Sequence, residues 1–204
     1  MRSAKATLIW AALVAAIGVP IALAATSDLL PYRGPVYIVA GFTGMIALGL
    51  VLVQPLLIAG YLPGLPAFLG RLVHHWIGGV LVVAIVIHVG GLWITSPPDM
   101  IDALTLTSPT PFSLWGVIAM WSIFAVALLA GFRRRLGPRA WRIAHLSLAA
   151  FIVAGGVVHA MLVEGTMEIV SKAVLCALVV VAATKVTADR LRRGTPRAGR
   201  NVRH

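Results

Sequence analysis

Histidines at positions 74 and 88, and again at 145 and 159, stand fourteen residues apart inside apolar tracts. In an α-helix, fourteen steps return to within roughly 40° of the same face and climb about 21 Å. That climb is most of a bilayer hydrocarbon core of about 30 Å. A spanning helix over either tract therefore carries one imidazole towards each membrane surface, both on one side. The flanking residues echo each other. Arg71-Leu72-Val73-His74-His75-Trp76-Ile77-Gly78-Gly79 leads to His88, and Gly137-Pro138-Arg139-Ala140-Trp141-Arg142-Ile143-Ala144-His145 leads to His159. Ionisable residues inside a membrane are costly and mark function by default. Side by side, the two helices would pair His74 with His145 at one level and His88 with His159 at the other.

Imidazole alone suits zinc, copper or haem iron. Zinc wants four ligands at one point, whereas these pairs are separated by about 21 Å along the helix axis. Two trans imidazoles per level, among apolar and small residues, match a six-coordinate haem b, two per chain. With both axial positions filled by protein, such a centre carries single electrons and offers no open site to oxygen. The second ring nitrogen of each ligand should donate to a carbonyl or hydroxyl; Thr95 and Ser147 are the hydroxyls nearby in sequence. Gly78, Gly79, Gly90, Gly91, Gly155 and Gly156 thin the same two helices, leaving room for a macrocycle or allowing close helix packing. His75, about 100° around the helix from His74, cannot face the same iron. It is expected at the membrane surface near the cofactor's carboxylates. Arg71, Arg139 and Arg142 share that level and could pair with carboxylates or simply fix orientation. No residue is expected to be catalytic in the acid–base or nucleophilic sense.

The 204-residue chain is 60% hydrophobic, above the 45–50% or so of soluble domains. Six apolar tracts, near 7–25, 36–60, 72–95, 113–132, 141–163 and 167–187, are each about long enough to span a bilayer. The expected fold is all-α, a polytopic bundle of six transmembrane helices. Three regions follow: 1–35, a first helix with an external turn; 36–187, the histidine-bearing core; and 188–204, a basic, disordered cytoplasmic tail lying against anionic headgroups. Residues 2–25 have signal-peptide traits, with Arg2 and Lys5 ahead of the apolar run and small residues at its end. The run is nevertheless long for a cleaved signal, and a retained helix is expected, kinked or ended near Pro20.

The net charge of +11 does not point to nucleic acid, because the basic residues sit in short flanks of the hydrophobic tracts. With both termini cytoplasmic, every Lys and Arg except Arg33 and Lys172 falls inside, and every acid except Asp189 falls outside. This satisfies the positive-inside rule. The proline-broken connection 96–112 is expected to be a simple external crossover. Cys176 lies in an apolar run and reads as a core residue. No glycine-rich nucleotide loop and no strand-like alternation occurs.

These residues resemble the ferric reductase-like transmembrane domain family. The resemblance covers about 36–187 and rests on Arg71-x-x-His74-x-Trp76-x-Gly78 with His88, on Leu114-Trp115-Gly116, and on Arg135-Leu136-Gly137 through Trp141-Arg142 to His145 and His159. It implies that His74, His88, His145 and His159 are axial haem ligands. It also implies a bacterial inner-membrane oxidoreductase component passing electrons from a cytoplasmic donor to an external acceptor, such as a periplasmic protein. Only a short tail follows the last tract, so flavin or quinol would come from a flavoprotein reductase partner or the quinone pool. Two alternatives stand: the single-haem membrane subunit of a methionine sulfoxide reductase-type system, and a non-redox small transporter.

Overall fold

The computed structural model describes residues 2–194. Seven α-helices account for most of them: α1 Arg2–Ala25, α2 Pro35–Ala59, α3 Ala67–Thr95, α4 Pro97–Leu104, α5 Pro111–Gly131, α6 Pro138–Leu162 and α7 Ile169–Gly194. No strand occurs among the described residues. Six helices, all but α4, are long and apolar enough to cross a membrane. The chain is therefore all-helical, with the composition of an integral multi-pass membrane protein.

Proline opens α2, α4, α5 and α6. The ring presets a helical φ and lacks an N–H that would have no intrahelical acceptor at that position. Gly60 closes α2 in the left-handed conformation (φ 71°), its N–H returning to the carbonyls of Leu56 and Leu57. Three expectations are corrected. Of the two effects expected at Pro20, a kink or an end, the end does not occur there, since α1 continues to Ala25. The 96–112 connection is not a bare crossover, because Pro97 and Pro98 start the short helix α4. The region from 188 is helical to Gly194, as α7 winds on past its apolar stretch; the rest of the expected tail lies outside the described residues.

The packing is built from two hairpins, α2 on α3 and α5 on α6, with α7 against α2 and α6 and with α1 against α7. One buried cluster joins Leu48 and Leu52 of α2 to Leu175, Cys176, Val179 and Ala182 of α7. A second draws on both hairpins: Ala47, Leu81, Ala84, Ile123 and Ile152. Leu81 lies midway between His74 and His88 in sequence, and Ile152 midway between His145 and His159. Seven residues are nearly two helical turns, so each of these aliphatic residues shares its helix face with the histidines above and below it. The bundle closes on aliphatic side chains between the two histidine levels.

Candidate functional site

Helices α3 and α6 bring the four histidines together in two pairs. The ring centres of His74 and His145 are 6.3 Å apart, their planes crossing at 65°. Those of His88 and His159 are 6.4 Å apart and cross at 81°. Among the described residues no three His, Cys, Asp or Glu side chains converge on a common point. Each level therefore presents two imidazoles.

The His88–His159 level is held by the first helix of each hairpin. His88 Nδ1 lies 2.7 Å from the Ala40 carbonyl, and His159 Nδ1 lies 2.8 Å from that of Phe112. A carbonyl can only accept, so Nδ1–H must donate, and each neutral ring then keeps its lone pair on Nε2. Four residues beyond each carbonyl stands a glycine, Gly44 or Gly116, against the same ring. A Cβ there would fall 2.8 Å from His88 Nδ1 or 2.7 Å from His159 Nδ1. The two hairpins thus repeat one device: a carbonyl to orient the imidazole and a glycine to admit it. Thr95 takes no part, since its hydroxyl bonds to Gly91 and Leu92 of its own helix. Ser147 is exposed.

The His74–His145 level, at the end carrying Arg71 and Arg133–Arg135, differs. Neither Nδ1 has a hydrogen-bond partner, although His74 lies beside the Gln54 backbone. Gln54 Oε1 and Trp141 Nε1 are the other buried side-chain atoms without one among the described residues. The Trp141 indole stacks on His145, centres 5.0 Å apart and planes 15° from parallel. Arg133 lies over the same indole at 4.9 Å. His75 is exposed and belongs to neither pair, as are Arg71, Arg139 and Arg142. Arg190 of α7, assigned above to the tail, is close enough to act electrostatically on both His74 and His145.

Two of the six glycines serve close helix packing. Gly91 packs against Ala40 and Gly155 against the Trp115 carbonyl, each too close for a Cβ, whereas Gly79, Gly90 and Gly156 face open space. Gly44, Gly116, Ala40, Phe112, the Trp141 stack and Arg190 went unforeseen as parts of the site. The Ala40–Gly44 and Phe112–Gly116 spacing, repeated on α2 and α5, was the one signal available for the first four.

The model of the family described as ferric reductase like transmembrane component matches residues 40–156, more than half of the chain. The chain belongs to the ferric reductase-like transmembrane family. The match runs from Ala40 through His74, His88 and His145 and ends just short of His159. It is narrower than the resemblance drawn from the motifs. Membership marks the chain as a membrane redox component of a family whose domains generally bind haem. No curated protein and no solved structure matches the chain.

Proposed function

We propose that this ferric reductase-like chain is a membrane b-type cytochrome holding two haems, His74 and His145 ligating one and His88 and His159 the other. The observation that carries this reading is the spacing of the pairs, 6.3 and 6.4 Å between ring centres. Two imidazoles trans across one metal, each bonded at about 2 Å, have ring centres about 6 Å apart.

Bound there, six-coordinate haem iron would supply one-electron transfer. The protein's part is to orient and insulate. The Ala40 and Phe112 carbonyls hold two imidazoles with Nε2 free. Leu81 and Ile152 keep polar groups out of the space between the levels. Arg190, with Arg71, Arg139 and Arg142 at the same end, supplies positive charge for the cofactor's carboxylates. The distribution of Lys and Arg supports a cytoplasmic basic end. Electrons would then enter there from a flavoprotein or quinol and leave to an external acceptor.

The test is a dithionite-reduced minus oxidised spectrum of purified protein with a haem count per chain. Two b haems are expected, and none after expression with ample haem overturns the proposal. One haem would favour the single-haem alternative at the His88–His159 level, where both second nitrogens already have acceptors.

A further inference from the structure

The two hairpins repeat each other around the outer histidines but part company around the inner ones. Four residues before His74 stands Gly70, buried, with a Cβ position 2.8 Å from the Leu57 carbonyl. No side chain fits there. Four residues before His145 stands Trp141, one helical turn away on the same face, its indole nearly parallel to the imidazole at 5.0 Å. His145 Nδ1 lacks the carbonyl partner that holds His88 and His159.

We infer that Trp141 is the positioning residue of His145, fixing the plane of that imidazole by stacking where His88 and His159 use a backbone carbonyl. An imidazole hydrogen-bonded at Nδ1 has its rotation about Cβ–Cγ set by the acceptor. Without one, a ring packed face to face is what limits rotation, and offset stacking of aromatic planes is favourable. Arg133 lies over the same indole as a cation on a π-face, holding it from the loop after α5. The orientation so fixed is the 65° crossing of His145 with His74. The inference rests on the haem reading above and extends it to a residue outside the ligand set.

The low-spin ferric signal of a bis-imidazole haem depends on the angle between its two ligand planes, so electron paramagnetic resonance of the oxidised protein reads this role. In Trp141→Leu one of the two ferric signals should shift or broaden, with the other unmoved. Trp141→Phe, which keeps a stacking ring and loses the N–H, should return it most of the way, and Arg133→Gln should shift it less. Redox titration should move the midpoint of the same haem alone. If Trp141→Leu does not assemble, Trp141→Phe and Arg133→Gln still decide. Both ferric signals unchanged in every variant that assembles would overturn the inference. So would an equal shift in the Leu and Phe variants, which is what a change of volume without any role for ring stacking predicts. Wild-type protein without haem, or His145→Ala protein retaining both haems, would instead sink the underlying reading.

Discussion

Gly116 abuts the ring of His159 so closely that a methyl group on its α-carbon would lie 2.7 Å from Nδ1. The imidazole cannot easily retreat, because the same nitrogen is bonded to the Phe112 carbonyl one helical turn earlier. Gly44 stands in the same relation to His88 and the Ala40 carbonyl. Gly116→Ala or Gly44→Ala should therefore displace one ligand at the His88–His159 level. The expected result is loss of one haem of two, with destabilisation of about 1–3 kcal/mol from overpacking. Gly41→Ala, on the same helix as Gly44 and with nothing within 4 Å, is the control and should be silent. Haem counts beside thermal midpoints for the three variants check this; equal behaviour of all three would refute it.

The aliphatic closure at mid-bundle predicts that the two levels fail independently. His88→Ala should remove one haem and leave the spectrum of the other intact. His74→Ala should do the converse. Leu81→Ala, between them and 7% exposed, should leave both haems bound. It should still cost about 2–5 kcal/mol by opening a cavity among Ala47, Ala84, Ile123 and Ile152. Spectra of the three variants and a denaturation series on the third make the check. Loss of both haems on removal of either ligand would show that the levels are one cooperative site.

How far the site could be read in the sequence follows from where its parts lie. The four histidines were legible because a fourteen-residue interval on each of two apolar tracts encodes face and height together. His74 was separable from His75 by the same interval, and His75 is indeed exposed. The parts on other helices were not legible. Ala40 and Phe112 contribute only backbone carbonyls, which leave no mark in residue type. Gly44 and Gly116 look like any membrane-helix glycine until the hairpin packing is known. Arg190 reads as one of many tail arginines, and only the continuation of α7 brings it near enough to His74 and His145 to act on them electrostatically. The Trp141 stack on His145 was not legible either, since stacking on a residue one turn away depends on rotamers that spacing does not determine.

At the opposite end of the bundle Glu168 caps α7, its carboxylate accepting the N–H groups of Ser171 and Val170, each at 2.7 Å. These bonds, that from Ser171 foremost, hold its pKa below the ordinary value of 4.5. A depressed carboxylate pKa contributes stability that is complete above the unfolded value and is lost as pH falls through the folded one. Glu168→Gln should therefore lower the thermal midpoint near neutrality. The gap to wild type should close as the pH is taken below 4.5. Thermal melts of both proteins across that range test the sign. A gap that widens in acid would contradict it.

Lys172 was expected at the external surface and is instead buried, with 4% of its surface exposed. Its Nζ donates to the Val163 carbonyl at 2.8 Å. Val163 caps the C-terminus of α6, just beyond Leu162, and its own N–H returns to the carbonyl of His159. The lysine thus fastens the start of α7 to the end of α6, one turn beyond His159, and a cation suits the negative end of a helix dipole. Lys172→Met keeps the apolar stem and removes the donor, leaving the half-buried carbonyl of Val163 without this partner. A loss of about 1–3 kcal/mol is expected. Faster amide exchange should appear at Val163 and Glu164, with little change deeper in α6 at Ile152. The haem count should stay at its wild-type value, because His159 keeps its bond to Phe112. Hydrogen–deuterium exchange on both proteins reads the local effect, and unchanged protection at the end of α6 would show that the buried lysine holds nothing in place.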